Sequence, residues 1–565
     1  MFKQFLLRMA GRVVARPVRR SIEAFHQATR DPVGVQSRLL QEILNKQKET
    51  QFGRDHRFSD IKNITQFRQH VPIAPYEYIA PYIERVKNGD IQALLADNSL
   101  KMFALTSGTT AARKLIPITQ NYLEDYRRGW NIWGLTAFQI HRQAALKPVV
   151  QLVGDPEEFH SPGGIPCGNL SGFTAQIQKK IVRFLYCVPA ISGRIKDSHA
   201  RYYVALRFSI TRSVGLLSSA NPSTLVALAR VLDQQKENLI RDIHNGTLND
   251  KLDIPAAIRA ELMTRKGVRP QPEKARLLET FVQKRNALLP MDIWPEDRLL
   301  IGCWTGGSVG PYLHQLKTYY GSTPVRDIGL LASEGRMTIP IEDWNPSGIL
   351  DITSHYFEFV PEGEIDSPQP TVLAPHELQM GHHYYILPTT KSGLYRYHIC
   401  DLVRVTGFSE KTPMIEFLGK GNRFANLTGE KISEYQVCRT FDQVITGSGL
   451  SISIYSLAPC WHEEQSYYTI YLEQKDVSSI EKLKLFLRGF DQQLQLENVE
   501  YAAKRESKRL GPLQAGIVAD GFWQQWDRQR LANTGGSPEQ YKHPCLLGDL
   551  KYQKEIPTLQ IVLPE

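Results

Sequence analysis

Residues 105–114 read Leu-Thr-Ser-Gly-Thr-Thr-Ala-Ala-Arg-Lys, and the apolar run Leu115-Ile116-Pro117-Ile118 follows them. This stretch gathers hydroxyl groups and backbone amides around Gly108, with Lys114 close behind. A turn so rich in hydrogen-bond donors is suited to hold an anion, above all a polyphosphate. The GxxxxGK[ST] spacing of a Walker loop is absent. Taken alone, the stretch would fit an ordinary surface turn equally well.

Further segments downstream support the interpretation of this stretch as an anion-binding turn. In chain order they are Ala332-Ser333-Glu334, Tyr395-Arg396-Tyr397-His398-Ile399-Cys400-Asp401, Gly419-Lys420 and Gly429-Glu430-Lys431. They resemble the nucleotide-binding motifs of the adenylate-forming superfamily, which holds acyl-CoA synthetases, luciferases and adenylation domains. They resemble still more the Gretchen-Hagen-three family of acyl-acid amido synthetases, whose motifs include SSGTS…K, Ser-Ser-Glu, YRxGD and GEKxSE. The likeness extends to residues 219–224, 356–359 and 540–542, so it covers nearly the whole chain.

Length and composition restrict the number of domains and the class of protein. A chain of 565 residues is too long for one core, so two or more packed units are expected. With 42% hydrophobic and 22% charged residues it is typical of a soluble globular protein, and no apolar run approaches the roughly 20 residues that span a bilayer. The seven cysteines are scattered, without a CxxC pair, which favours a reducing compartment over a disulfide framework or a zinc site. We therefore expect a cytoplasmic protein, and a monomer.

Part of the net charge of +10 is concentrated at residues 1–16, where Arg8, Arg12 and Arg16 recur every four residues. Such a basic amphipathic segment could lie on an anionic membrane surface. Packing on the domain with solvated arginines is the favoured interpretation, because Pro17 cuts the helix short. Elsewhere the basic residues are dispersed and no nucleic-acid-binding module is recognisable, so no nucleic-acid partner is expected.

The hydrophobic pattern changes along the chain. Over about the first 300 residues, helices are mixed with short apolar strands, and residues 149–154 and 299–304 have the pattern of buried strands, which predicts α/β subdomains with parallel sheets. One helix is predicted from Asn221 to Asn245. From about residue 349, short strands separated by Pro, Gly and acidic turns predict a strongly bent antiparallel sheet or small barrel.

After Gly419-Lys420-Gly421-Asn422 come two strand patterns and a helix at 480–494, the pattern of a compact α+β unit. We therefore predict an α/β protein with a large N-terminal domain at residues 1–420 and a small C-terminal domain at 421–565. The family resemblance implies the same adenylate-forming architecture, in which the small domain is mobile and the active site lies between the two.

The resemblance also implies a chemistry: ATP activates a carboxylic acid, with Mg²⁺ neutralising the pyrophosphate leaving group. For the phosphates we expect hydrogen bonds from residues 106–110 and a point charge from Lys114. The candidates in this loop are Thr106, Ser107, Gly108, Thr109 and Thr110. Ala111 and Ala112 stand where the superfamily carries a further glycine, so the loop is expected to be less mobile or differently ordered.

The acidic candidates have separate roles. Glu334 is a reasonable Mg²⁺ ligand, because Mg²⁺ prefers hard oxygens and few protein carboxylates. The family resemblance implies that role for Glu334 and a contact of Ser333 with the α-phosphate. By resemblance Asp401 accepts hydrogen bonds from the ribose diol. Cys400 replaces the glycine usual before it, which predicts an ordinary backbone conformation there. Arg396 could pair with Asp401 or with phosphate; Tyr356 could form a wall for adenine, although aromatic residues in strands are more often core.

Two lysines complete the site. A lysine delivered by the small domain could stabilise charge that develops on the α-phosphate. The matches to GEK and QYK single out Lys431 and Lys542, and the sequence favours Lys431. An exposed lysine without a role is the ordinary alternative for both.

These observations predict an ATP-dependent acyl-acid amido synthetase, which adenylates a carboxylic acid and transfers the acyl group to an amine. An amino acid is the favoured interpretation for that amine. Two alternatives stay open: a ligase that uses coenzyme A or another thiol as acceptor, and a nucleotide-binding protein without turnover in which Ala111 and Cys400 are lesions. The acid and the amine are not identified, since their pockets follow no sequence rule.

Overall fold

The computed structural model describes residues 17–106, 114–178, 180–307, 309–421, 424–428, 430–534 and 541–564. The basic segment 1–16, the loop residues Ser107, Gly108, Thr109 and Thr110, and the linker residue Asn422 lie outside this range. None of the described helices combines the length and the hydropathy that a membrane-crossing segment requires.

The first layer joins N-terminal helices to a four-stranded sheet in the order β2-β1-β5-β4, in which β1 runs antiparallel to β2 and parallel to β5. Its elements are α1 (residues 17–28), α2 (Pro32–Gln47), α3 (Gln51–Asp55), α4 (Ile64–His70), α5 (Tyr76–Lys87), β1 (Leu100–Thr106), β2 (Lys114–Thr119), α6 (Gln120–Ile140), β4 (Phe159–His160), β5 (Pro166–Gly168), α7 (Leu170–Gln176) and α8 (Lys180–Arg183).

A second layer is an all-parallel sheet in the order β3-β6-β7-β8, surrounded by helices. Its elements are β3 (Val149–Gln151), α9 (Ser198–Ser209), β6 (Leu216–Ser218), α10 (Pro222–Gln234), α11 (Lys236–Asn245), α12 (Ala256–Met263), α13 (Pro272–Arg285), α14 (Pro290–Ile293), β7 (Leu300–Gly302), α15 (Gly310–Tyr320) and β8 (Val325–Arg326). Because helices cover the sheet, its strands are short, apolar and buried.

A six-stranded antiparallel sheet in the order β11-β12-β16-β15-β14-β13 follows, preceded by the small hairpin β9-β10. The elements are β9 (Leu331–Ala332), β10 (Gly335–Arg336), β11 (Thr338–Ile339), β12 (Gly348–Leu350), β13 (Tyr356–Pro361), β14 (His383–Thr389), β15 (Asp401–Ser409) and β16 (Thr412–Lys420). Two register shifts between β15 and β16 bend this sheet. Its inner face shares one core with the first layer.

The C-terminal part has a hydrophobic core of its own around a four-stranded sheet in the order β19-β20-β21-β22. Its elements are β17 (Phe424–Ala425), β18 (Ile432–Ser433), α16 (Glu434–Ser448), β19 (Tyr455–Cys460), β20 (Tyr467–Glu473), α17 (Ile480–Glu497), α18 (Val499–Glu506), β21 (Gln514–Val518), α19 (Phe522–Thr534), α20 (Tyr552–Glu555) and β22 (Gln560–Val562). We call residues 424–564 the C-terminal unit.

The α/β architecture predicted from the sequence is confirmed, with one helix corrected. The single helix expected from Asn221 to Asn245 is two helices, α10 and α11, separated at Gln235. Gln235 leaves helical geometry at φ −109° and ψ 16°, and this turn lets α11 pack against α13. The predicted start is confirmed: the Asn221 side chain accepts a hydrogen bond from the amide of Ser223, and Pro222 opens the helix.

Candidate active site

A cavity of about 490 Å³ lies where the layers meet, large enough for a nucleotide-sized ligand. One wall is formed at the carboxyl ends of the four parallel strands, the edge at which open α/β sheets bind ligands. The cavity-lining residues at the ends of these strands, or shortly after them, are Gln151, Leu152, Ser218, Ser219, Ala220, Trp304, Asp327, Ile328, Gly329 and Leu330.

The opposite wall begins with the β1-β2 hairpin, which flanks the TSGTT loop. Thr106, the last residue of β1, lies opposite Lys114, the first residue of β2. Both line the cavity, and the Lys114 ammonium lies 5.2 Å from the centre of the Tyr76 ring. Although the loop itself lies outside the described residues, its two ends fix where it must begin and finish.

Ser333 and Glu334 form the two-residue turn of the β9-β10 hairpin and line the cavity. The next residue must be small: a Cβ on Gly335 would lie 2.2 Å from Nε2 of His355. The hairpin therefore packs closely against His355, the residue before β13, with Glu334 at the cavity. The sequence prediction of Ser333 and Glu334 as neighbours of one ligand is consistent with this placement.

Asp401 starts β15 and lies directly opposite Lys420, which ends β16. Their side chains form an ion pair, and Lys420 also donates to the carbonyl of Ile399 at 2.9 Å. Both residues line the cavity. The charged partner of Asp401 is thus Lys420 and not Arg396.

Two predicted site residues lie elsewhere. Arg396 donates to Glu358 at 2.7 Å and to the carbonyl of Val71 at 2.8 Å, so its charge is used in a buried ion pair. Tyr356 is 1% exposed and packs edge-on against Phe67, with ring centres 5.8 Å apart. Neither is among the described residues that line the cavity. The placement corrects both: Arg396 is a structural cation and Tyr356 a core residue of β13.

The backbone expectation for Cys400 is wrong. Its φ is +64°, in the left-handed region that favours glycine. This conformation lets the carbonyl of Cys400 accept a hydrogen bond from the amide of Gly421 at 2.8 Å, directly beside Asp401. Cys400 is therefore held under strain in a backbone conformation that favours glycine.

The charged side chains that line the cavity shift one another's pKa values. Burial, together with the neighbouring Asp401, raises the pKa of Glu334, while Lys420 and Lys114 act against that rise. Burial by itself lowers the pKa of Lys420, but the carboxylates of Asp401 and Glu334 outweigh it, so the pKa lies above its usual value. A bound cation beside Glu334 would favour the ionised carboxylate.

Asp327 is a second buried carboxylate at the same cavity. Burial raises its pKa to about 6, although three hydrogen bonds and Lys542 oppose the rise. The donors are the amide and hydroxyl of Thr305, at 2.6 and 2.8 Å, and the amide of Gly329 at 2.6 Å. These bonds fix the carboxylate at the carboxyl end of β8.

Lys542 reaches the cavity from the C-terminal unit. Its ammonium lies 4.1 Å from the centre of the Trp304 ring and 5.3 Å from that of Phe417. Both rings present their electron-rich faces to the charge. Lys431, which the sequence favoured, is exposed, has a φ of +37° and is not among the described residues lining the cavity. In this conformation Lys542, and not Lys431, is the lysine that the C-terminal unit brings to the cavity.

The donor set suits Mg²⁺ with a phosphate ligand rather than a closed metal cage. Glu334 offers one buried carboxylate, and the described residues contain no cluster of three His, Cys, Asp or Glu that could hold a metal alone. Mg²⁺ is commonly held by one or two carboxylates together with substrate phosphates. Glu334, with Lys114 of the β1-β2 hairpin at the same cavity, fits that arrangement.

The chain is similar to known proteins over most of its length. The N-terminal, central and C-terminal domains of the GH3 family match residues 21–325, 348–420 and 434–551. The chain belongs to the GH3 family. It is 24% identical over 551 residues to jasmonoyl–L-amino acid synthetase JAR4 of Nicotiana attenuata, covering 93% of each chain. It is also 24% identical over 563 residues to indole-3-acetic acid-amido synthetase GH3.4 of Arabidopsis thaliana, covering 93% of this chain and 91% of the relative.

Solved structures share the GH3 fold. The complex of the GH3.15 acyl acid amido synthetase with 2,4-DB superposes with a TM-score of 0.83 at 20% identity, covering 97% of each chain. A 2-hydroxyisobutyryl-CoA ligase in the postadenylation state superposes with a TM-score of 0.52 at 12% identity, covering 94% of this chain and 92% of the other. The fold is that of the adenylate-forming enzymes.

Sequence reasoning missed three residues of this GH3 cavity: Trp304, Asp327 and Lys420. Trp304 lies two residues after the end of β7 and Asp327 directly follows β8, so the rule for carboxyl ends of parallel strands could have singled them out. Lys420 was visible in the Gly419-Lys420 motif, but its role depends on the register that places it opposite Asp401.

Proposed function

We propose that this GH3 protein is an ATP-dependent acyl-acid amido synthetase, which activates a carboxylic acid as its acyl-adenylate and transfers the acyl group to an amino acid. One observation carries the proposal: a single cavity collects Thr106, Lys114, Glu334, Asp401 and Lys542 from segments spread over more than 400 residues. We assign nucleotide binding and acid activation to these residues. The names of the relatives support the choice of an amino acid as acceptor.

The first task of such an enzyme is to bring two anions together. Lys114, Lys420 and Lys542 place three positive charges around the cavity, and Thr106 starts the donor-rich loop. We assign the phosphates of ATP to this loop and to Lys114, and the ribose to Asp401. Glu334 would hold Mg²⁺, which when bound neutralises charge on the pyrophosphate leaving group.

Activation then requires stabilisation of charge that develops on the α-phosphate. In the conformation described here Lys542 is the lysine that can supply it. The acyl-adenylate needs no covalent enzyme intermediate: a deprotonated amine, held in position, attacks the acyl carbon and releases AMP. Excluding water from the cavity protects the acyl-adenylate from hydrolysis.

We further propose that residues 421–565 form a mobile domain, which rotates between activation and transfer so that Lys431 approaches the cavity in the second state. Two lysines from one unit, one inside and one outside the cavity, motivate this proposal. Asn422→Pro should restrict the rotation and impair turnover while much of the ATP affinity remains. Distances measured between labels on the two domains, with ATP and then with AMP plus an amino acid, provide the test. Equal distances in both states, together with full activity of Asn422→Pro, would contradict the proposed rotation.

The function itself is tested by acid-dependent ATP–pyrophosphate exchange across aromatic, indole-acetic, jasmonate-like and fatty acids. Acids that support exchange are then offered with amino acids or with coenzyme A, and the products are separated. Amide formation supports the proposal; thioester formation would make the protein a thiol ligase. Tight ATP binding without exchange for any acid would make it a binding protein without turnover.

Two lesser proposals concern context. We propose a reducing compartment such as the cytoplasm, on the ground that none of the seven cysteines, all of which lie in the described part of the chain, takes part in a disulfide. We propose a monomer, which light scattering in solution would test.

A further inference from the structure

The residues on either side of Lys542 bind the same carboxylate oxygen. Tyr541 donates its hydroxyl to Oδ1 of Asp527 at 2.8 Å, and Nδ1 of His543 lies 2.8 Å from the same atom. Because a carboxylate can only accept, Nδ1 carries the proton in that bond. Asp527 lies on α19 in the C-terminal unit, so the backbone of Lys542 is held from both sides by one side chain of that unit.

His543 is fixed on its other edge as well. Its Nε2 lies 2.9 Å from Oγ of Ser456 and 3.1 Å from the carbonyl of Tyr455, and its ring packs edge-on against Trp523. Ser456, His543 and Asp527 together have the connectivity of a hydrolytic triad. They do not form a nucleophilic site, because Ser456 is fully buried and its hydroxyl is 2.7 Å from the carbonyl of Pro544. None of these three described residues lines the cavity.

The large domain receives this segment at two points. The side-chain amide of Asn221 donates to the carbonyl of Tyr541 at 2.6 Å, and Trp304 and Phe417 face the Lys542 ammonium. The contacts therefore divide into two sets. Asp527 holds the Lys542 backbone within the C-terminal unit, whereas Asn221, Trp304 and Phe417 meet it from outside that unit.

We propose that Asp527 is a positioning residue for the reaction, which fixes the backbone on both sides of Lys542 so that its ammonium enters the cavity in one defined place. The inference rests on the proposed function of Lys542 in acid activation. A lysine side chain loses much of its rotamer freedom when it is ordered, so an unfixed backbone would add to a cost that is already large. A misplacement of about 1 Å at a reacting centre can cost about 100-fold in rate.

The test is a double-mutant cycle on acid-dependent ATP–pyrophosphate exchange in the full-length protein, with Asp527→Ala, Lys542→Ala and the double variant. Asp527→Ala should lower kcat for exchange by about tenfold or more and leave KM for ATP within about twofold, since it does not touch ATP. In the Lys542→Ala background, removal of Asp527 should change the rate by less than about twofold. Asp527→Asn, which keeps an accepting oxygen, should restore much of the rate.

A general structural role predicts a different pattern. If Asp527→Ala lowers the rate by the same factor with and without Lys542, or lowers nothing, the inference is overturned. Asp491→Ala is the matched control, because Asp491 also accepts from a tyrosine, Tyr501, and an arginine, Arg505, in the C-terminal unit. Its exchange rate should stay near that of the parent. Where Asp527→Ala does not fold, Tyr541→Phe, which removes only one donor to Asp527, takes its place in the same cycle.

The outcomes also separate this inference from the proposed function. A parent protein that shows no exchange with any acid contradicts the proposed function. Exchange that survives Lys542→Ala removes Lys542 from the reaction, and the inference with it. Exchange that is lost in Lys542→Ala but kept in Asp527→Ala overturns the inference alone.

Discussion

Asp401 and Lys420 lie directly opposite each other at the ends of two antiparallel strands, and their side chains form an ion pair within the cavity wall. The carboxylate assigned to the ribose is thus held in place before any ligand binds. Lys420 is in turn fixed by the carbonyl of Ile399. The pair is pre-organised by the register of the β15-β16 ladder, which reduces the ordering cost of binding.

Asp401→Ala should weaken ATP binding by about 1.5–3 kcal/mol, the range for a lost hydrogen bond to a charged group. The fold should survive, because Lys420 keeps its bond to Ile399. Calorimetric titration with ATP measures the change. If the variant and the parent bind ATP with equal affinity, the ribose assignment is wrong.

Glu334→Gln should reduce Mg²⁺-dependent pyrophosphate exchange by roughly 100-fold or more, because the side chain keeps its shape but loses the charge that holds the metal. Exchange rates are measured over a range of Mg²⁺ concentrations. Glu416→Gln is the matched control: Glu416 is likewise a largely buried carboxylate whose pKa burial raises, but it pairs with Arg404 away from the cavity. Undiminished exchange in Glu334→Gln would remove Glu334 from the site.

Trp304→Leu should slow exchange by about 3- to 30-fold, as a cation–π contact contributes about 0.5–2 kcal/mol. Trp304→Phe, which keeps an aromatic face for the Lys542 ammonium, should lose less. The control is Trp344→Leu, since Trp344 lies 5.1 Å from Lys317 in a similar pair outside the described cavity. Equal rates for the leucine and phenylalanine variants at residue 304 would contradict a role for the aromatic face.

Cys400→Gly should stabilise the protein by about 1 kcal/mol, because glycine adopts a φ of +64° without the strain that a side chain incurs there. Urea unfolding of the variant and the parent gives the difference. The thiol makes only long contacts with His398, at 3.8 and 3.9 Å, so little is lost with it. A destabilised variant would show that those contacts outweigh the backbone strain.

Asp327 should make the free energy of unfolding depend on pH. Burial raises its pKa from 3.8 to about 6 in the folded protein, so the folded state binds the proton more tightly than the unfolded state. The contribution is therefore fully present below about pH 4 and is lost as pH rises through about 6, by up to about 3 kcal/mol. Unfolding free energies of the parent and of Asp327→Asn, compared between pH 4 and 7.5, should diverge accordingly. A constant difference over that range would show that the pKa of Asp327 is not raised.

The sequence predicted best what is locally encoded. The spacing of Ile480, Leu483, Leu487, Phe490 and Leu494 predicts one face of α17. The last four are buried in the structure, whereas Ile480, at the first turn, is exposed. The α/β layers and the antiparallel sheet after residue 349 follow equally from periodicity. Motif resemblance found Thr106, Lys114, Glu334, Asp401 and Lys542, which line one cavity although they are distant in sequence.

What the sequence did not predict depends on pairing between distant segments. Arg396 and Lys420 are both basic residues within 20 positions of Asp401, and only the strand register decides which of them faces it. Tyr356 has the alternation of any buried strand residue, so whether it forms a ligand wall or core depends on Phe67, nearly 300 residues earlier. The left-handed conformation of Cys400 has no signal in its residue type, because cysteine does not favour it.

Residues 417–421, at the end of β16 and just after it, make three separate contacts. Phe417 faces Lys542, and Lys420 pairs with Asp401. Gly421 starts the connection to the C-terminal unit and packs against the ring of Tyr385. A ligand that displaces Lys420 therefore acts on the same strand that leads to the C-terminal unit. Under the proposed domain rotation, thermodynamic reciprocity would make this relation symmetric: if binding of the ligand shifted the orientation of the unit, a contact that shifts that orientation would alter the affinity for the ligand by the same factor. A contact on the outer face of the C-terminal unit would then change nucleotide affinity without touching the cavity.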